Sequence, residues 1–314
     1  MNDAFPHLKG QTFARRVLQS ALQGGRTASS YLFMGPPGCG KKTAALDLAG
    51  ALLAKDGVVD ERVFRGIHPD VRLHSPAGAT FKVEQVRDLL KDAALRPFEG
   101  SQRVCILDRA ETLNDAAANA LLKSIEEPGA GFTWILVTTQ RARILPTIAS
   151  RCQAVRFHAL DDATLRSVLA KELSVAEPQA RDLAALSGGS VKLAAWLQGE
   201  DGKALLEQAE GFLEAAANNT LVGRLSWAAG AGDDRRELDT LLSVLWVMLR
   251  ERWAEAKGLP VELRLLSQGP RQGKALPLPV LEKLMQAVPA AQAALARNGH
   301  VALTLDTLIL AAER

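Results

Sequence analysis

The stretch Gly35–Thr43 reads GPPGCGKKT, and Gly35, Gly40 and Lys41 satisfy the G-x-x-x-x-G-K part of a phosphate-binding loop. In such a loop the glycines, here including Gly38, let successive backbone N–H groups converge on phosphate oxygens. The start of the next helix adds partial positive charge, and the Lys reaches the outer phosphates. The pattern then departs from its hydrolytic form. Lys42 stands where a Ser or Thr should offer its hydroxyl to magnesium, and Thr43 arrives one residue late. Hydrolysis also needs a strand acid for the metal and a group that orients water. Asp108, at the end of RVCILD, fits the acid; the next position, often Glu in hydrolases of this type, is Arg109. A cation cannot accept the water's proton. Both departures add positive charge, and Lys42 is long enough to fill the space of the metal. The expectation is a phosphate loop kept for shape, with room for weak ATP or ADP binding and no hydrolysis of its own. An active ATPase is the alternative, and it requires Thr43 to supply the hydroxyl through a shifted loop.

Other reactive residue types carry less. Cys39, Cys105 and Cys152 are far apart and form no CxxC pair, so neither a zinc module nor a disulfide framework is supported. Cys39 and Cys152 read as small packing residues, since no His lies near them in sequence to activate them. His68 and His74 straddle PDVRL without a third ligand at useful spacing, so no metal site is expected. Of the five Trp only Trp246 and Trp253 share a helix, which argues against a stacking platform for single strands. The clusters QRAR (140–143) and RQGK (271–274) read as solvated surface, though the first follows a strand end where phosphates of DNA could be met.

The loop needs a strand before it and a helix after it, and both are present. YLFM (31–34) is a short apolar run and TAALDLAGALLA has helical spacing. RVCILD (103–108), FTWILVTT (132–139) and AVRF (154–157) are further strand candidates, separated by helical segments such as DAAANALLKSIEE (115–127). Alternating strands and helices predict a parallel, three-layer α/β sheet up to residue 158. From Leu160 on the pattern is helical: DATLRSVLAKEL, EPQARDLAALS and SVKLAAWLQG, then a longer region from Lys203. Its clearest member has Leu238, Leu241, Leu242, Leu245 and Leu249 on one face and Gly258 as its stop. A loop is expected over 266–279, then a helix interrupted near Pro289 and a last one, ALTLDTLILAAER. The chain of 314 residues is 47% hydrophobic with a net charge of +3, so no blanket attraction for polyanions follows. MNDAFPHLKG has no apolar signal core and no run is long enough to span a membrane, so a reduced cytoplasmic protein without membrane contact is expected.

LNDAAANALLKSIEEP (113–128) followed by LPTIASRCQAVRF (145–157) resembles the clamp-loader branch of the AAA+ proteins, whose signature includes SRC (150–152). Gly10 and Gln11, HPD (68–70), VEQVRDL (83–89) and NGHVALTLDTLIL extend the resemblance to the delta-prime type of DNA polymerase III subunit, along the whole chain. It implies an AAA+ α/β core over 1–158, a helical lid over 159–202 and an all-α collar for oligomerisation over 203–314. It implies a place in a ring of five beside gamma/tau-like and delta-like subunits, acting on a sliding clamp and primer-template DNA. Arg151 would be an arginine finger supplied in trans to a neighbour's ATP site. Thr139 falls where such proteins sense nucleotide, and Lys192 where active relatives place a second phosphate-sensing Arg. Lys lacks the bidentate fork of Arg. Many delta-prime and gamma/tau subunits carry a four-cysteine zinc module before HPD; here that interval is AKDGVVDERVFRGI, without cysteine, so no zinc is expected.

Overall fold

The computed structural model of the chain describes residues 3–54, 59–76, 78, 80–93, 95–218, 220–259 and 275–313. It falls into two compact units, Met1–Leu160 and Asp161–Arg314.

The first unit is built on five parallel strands in the order β2-β3-β4-β1-β5. These are β1 (Ser30–Met34), β2 (Val71–His74), β3 (Arg103–Leu107), β4 (Phe132–Thr138) and β5 (Gln153–Arg156). All seven residues of β4 and all five of β3 are buried, as expected of strands covered on both faces. Successive side chains leave a strand on opposite faces. Tyr31, Phe33, Ile135 and Val137 accordingly pack in one core with α1 (Thr12–Gln23) and α2 (Lys41–Leu52). Leu32, Trp134 and Leu136 pack in another with α3 (Val83–Ala93) and α4 (Asp115–Glu126). The three-layer arrangement read from the sequence is therefore present. The expected AVRF strand runs one residue earlier, and β2 and α1 are additions to the sequence reading. β2 is an edge strand with Arg72 and Leu73 exposed, so it lacks the apolar run that marks the others.

The second unit is helical: α6 (Asp162–Glu172), α7 (Glu177–Ser187), α8 (Val191–Gln198), α9 (Glu200–Ala217), α10 (Leu221–Gly230), α11 (Arg235–Ala256), α12 (Leu278–Ala296) and α13 (Val301–Ala311). A short α5 (Pro146–Ala149) precedes β5 in the first unit. Asp161, Ser190 and Asp234 cap α6, α8 and α11 with their side-chain oxygens. The five leucines expected on one face of α11 are all buried. One expectation fails: α12 runs unbroken through Pro289. The ring forbids only its own N–H bond and crowds the preceding turn, and Val280, Leu284, Val288 and Ala291 hold the helix by burial. Most of the loop expected over 266–279, including the basic cluster 271–274, lies outside the described residues.

Candidate functional site

The loop from Gly35 to Gly40 joins the C-terminal end of β1 to the N-terminus of α2, the place where helix-start amides gather. Gly35 is required by close approach, because a Cβ there would lie 2.3 Å from the Phe157 carbonyl oxygen. Gly38 and Gly40, at φ 71° and 94°, occupy the left-handed region that side chains disfavour.

Lys41 is buried and folded back onto its own loop. Its Nζ donates to the carbonyls of Gly35, at 2.8 Å, and Pro36, and lies 3.8 Å from Cys39 Sγ. Burial lowers its pKa, opposed by Cys39, Glu111 and Asp108. A phosphate would have to draw the ammonium off these carbonyls. Lys42 Nζ lies 3.8 Å from Asp108 Oδ2, with the two side chains 48% and 23% exposed. The two positions that would share a magnesium ion thus face each other as ammonium and carboxylate. Thr43 lies in the first turn of α2, turned about 100° around the axis from Lys42. Arg109 has φ 60°, uncommon for a non-glycine, and opens a single 3-10 turn, Ala110–Thr112.

That turn carries a residue the sequence reading missed. Glu111 is buried at the end of β4, where Oε1 accepts from Thr139 Oγ1 at 2.7 Å and Oε2 from Thr139 N at 3.4 Å. The expected sensing hydroxyl of Thr139 is therefore already donated to a carboxylate. The signal was the acid three places after Asp108, which a 3-10 turn brings back under the strand ends.

The N-terminal segment closes over the loop. Gln11 donates from Nε2 to the carbonyls of Cys39 (3.0 Å) and His158 (2.6 Å), and its Oε1 accepts from His158 N (3.1 Å). Asp47, fully buried on α2, accepts from His7 Nδ1 and Leu8 N, both at 2.9 Å. Burial raises its pKa against the pull of those donors. Leu8 Cδ1 would lie 3.1 Å from a Cβ at Gly40, so the segment presses directly on the loop.

Away from the loop, Arg151 follows α5 and is exposed. Its Nε lies 2.7 Å from Glu126 Oε1 at the end of α4, and Nη1 donates to the Thr147 carbonyl at 3.1 Å. Lys192 is exposed in the first turn of α8, in the second unit. His68 is buried, accepts from Asp70 N at 3.1 Å and has Nε2 3.5 Å from Asp60 Oδ2. Arg62 bridges Asp60 (2.8 Å) and Glu99 (2.7 Å) beside it. These groups line a cleft of about 310 Å³. Among the described residues no group of three or more His, Cys, Asp or Glu is placed to hold a metal; residues 55–58 of the cysteine-free interval lie outside them. All three cysteines are buried, and burial raises each thiol's pKa, that of Cys152 to about 12. They are packing thiols, not thiolates. No helix among the described residues is long and apolar enough to cross a membrane.

Residues 10–161 match the family described as DNA polymerase III, delta subunit. The chain is 38% identical over 200 residues to DNA polymerase III subunit delta' of Pseudomonas aeruginosa, covering 59% of this chain and 61% of that protein. It is 32% identical over 165 residues to the delta' subunit of Bacillus subtilis, half of each chain. To the gamma/tau subunit of Mycobacterium tuberculosis it is 33% identical over 180 residues, 54% of this chain and 31% of that one. The chain thus spans between half and three fifths of the length of the two delta' relatives. A DNA polymerase III gamma subunit-related protein of Thermotoga maritima shares the fold, with a TM-score of 0.57, 15% identity and coverage of 94% of this chain and 98% of that one. With its parallel sheet and its loop after β1, the chain shares the fold of the gamma subunit-related protein, and over residues 10–161, just under half of its length, it is similar to the family described as DNA polymerase III, delta subunit.

Proposed function

We propose that this protein is the delta-prime-like subunit of a DNA polymerase III clamp loader. It helps to load the sliding clamp onto primer-template DNA in the cytoplasm, in a five-membered ring with gamma/tau-like and delta-like subunits. In this reading residues 1–158 are the AAA+ core, 159–202 the lid and 203–314 the oligomerising collar. The subunit does not hydrolyse ATP itself; it supplies Arg151 in trans to a neighbour's site, where positive charge offsets charge developing on the transferred phosphoryl group.

The observation that carries the silent site is the pairing of Lys42 with Asp108 at 3.8 Å. An ammonium has three donors and no lone pair, so it cannot replace a hydroxyl as a metal ligand. Arg109, next in sequence, offers no base for the attacking water. The full chain alone should therefore show ATP turnover at background, unchanged by Lys41→Ala. A steady rate that disappears in Lys41→Ala overturns this reading.

Asp60 and Arg62, which pair with His68 and Glu99, lie in the interval where many relatives are expected to hold zinc. Elemental analysis of the purified chain should find no stoichiometric zinc. About one zinc per chain, the content of a closed structural site, would refute this.

A further inference from the structure

Phosphate loops of this fold ordinarily work with magnesium, and the groups present here do not fit that ion. Magnesium demands near-octahedral oxygen ligands at 2.0–2.1 Å, usually with a hydroxyl or carboxylate from the protein and oxygens from the phosphates. At this site the hydroxyl position is Lys42, and its ammonium already faces the only strand acid of the motif, Asp108, at 3.8 Å. A dication placed between them would meet a positive charge where a hydroxyl ligand is needed, and would compete with that charge for Asp108. From this disagreement we infer that the loop binds nucleoside di- or triphosphates as the metal-free anions, with Lys42 in place of the metal. The inference rests on the reading of Gly35–Thr43 as a phosphate loop that does not hydrolyse.

The parts needed are present. Gly38 and Gly40 hold the left-handed backbone that turns the loop around an anion, and α2 begins directly behind it. Lys41 is buried against the loop, held by the Gly35 and Pro36 carbonyls, neutral groups that it would exchange for phosphate oxygens with a gain in charge complementarity. Lys42 is about half exposed, and its contact with Asp108 is a long, partly solvated ion pair that a phosphate can outcompete. With magnesium on the outer phosphates, the oxygens that Lys42 would take are masked and like charges come together. The metal should then weaken binding where in a hydrolytic loop it strengthens it.

The test is calorimetric titration of the full chain with ADP and with ATP, once in EDTA and once in millimolar magnesium. Affinity in EDTA should equal or exceed that in magnesium, by about tenfold where the Lys42 contact is lost as one charge-assisted bond. Lys41→Ala should abolish the binding in EDTA, which locates it in the loop. Lys42→Thr, which writes GKT at the loop, should reverse the order, so that magnesium tightens binding. Tighter binding of the wild type in magnesium, or no binding in EDTA, overturns the inference. ATP turnover by the wild type would instead overturn the functional reading on which it rests, whichever way magnesium moves the affinity.

Discussion

An assembled clamp loader carrying Arg151→Ala is expected to lose ATP turnover at one site while its ring stays intact. Arg151 is 42% exposed, and its attachments are the carboxylate of Glu126, the hydroxyl of Ser150 and the carbonyl of Thr147. Removing an exposed ion pair of this kind costs ~0–1 kcal/mol, so the subunit should fold and assemble. At its own target site an arginine finger contributes on the order of 10³–10⁵ in rate. The loss in the whole complex is smaller, because other sites keep their own fingers. Two comparisons isolate the effect. Arg141→Ala, close in sequence and in an exposed 3-10 turn, should leave basal ATPase unchanged. Glu126→Ala removes the ion pair but leaves the guanidinium; if the pair were all that Arg151 provides, the two variants would behave alike. Wild-type ATPase and clamp loading by an intact ring containing Arg151→Ala would end the finger role and leave SRC as a structural motif.

Asp70→Ala should be the most damaging single substitution for stability among the polar residues of the first unit. The Asp70 side chain is fully buried, and its two oxygens accept three backbone amides: Phe98 at 2.6 Å, Glu99 at 2.8 Å and Gly100 at 3.0 Å. Arg103 Nε lies 4.0 Å away, itself nearly buried. Alanine leaves three amides without an acceptor and a buried guanidinium without its counter-charge, a loss of roughly 3–5 kcal/mol. Urea unfolding followed by circular dichroism reads this directly, and a change under about 1 kcal/mol, the net worth of one ordinary hydrogen bond, would refute it. The same carboxylate sets a pH dependence. Burial alone would raise its pKa, but the three amides and His68 outweigh burial and hold it below its ordinary value of 3.8. Its contribution is therefore complete at neutral pH and is lost on acidification below about 4, as the folded-state carboxylate takes up its proton. In Asp70→Ala the acid limb of the stability curve should flatten.

What the sequence disclosed and what it withheld follow from the same physics. YLFM, RVCILD and FTWILVTT were legible as strands because burial on both faces writes an unbroken apolar run. Val71–His74 was not, because an edge strand with Arg72 and Leu73 exposed writes no such run. The N-terminal helix Thr12–Gln23 alternates Ala14 and Leu18 in the core with exposed arginine and glutamine, a signature easily passed over beside a glycine-rich motif. In the site, the changes at Lys42 and Arg109 could be read as charge replacing ligand, since each is a substitution within a fixed spacing. The Glu111–Thr139 and Gln11–His158 contacts could not. They join residues 28 and 147 positions apart, and they depend on left-handed backbone at Arg109 and Gln11 that residue type alone does not announce. The interruption expected at Pro289 was a local rule overridden by burial of both neighbouring turns.

The strand order also governs how the protein is born. β1 is finished at Met34, yet both of its partners come late: β4 begins at Phe132 and β5 at Gln153. At synthesis rates of about 5–20 residues per second the nascent chain holds Tyr31, Leu32 and Phe33 unpaired for on the order of 5–20 seconds before β4 is made. The sheet is thus completed by β4 entering between β3 and β1, and then by β5 adding the edge beyond β1. Gln11, which also holds the Cys39 carbonyl, can meet His158 only after residue 158 is made, so these contacts around the loop Gly35–Gly40 close after both partners of β1 have been synthesised.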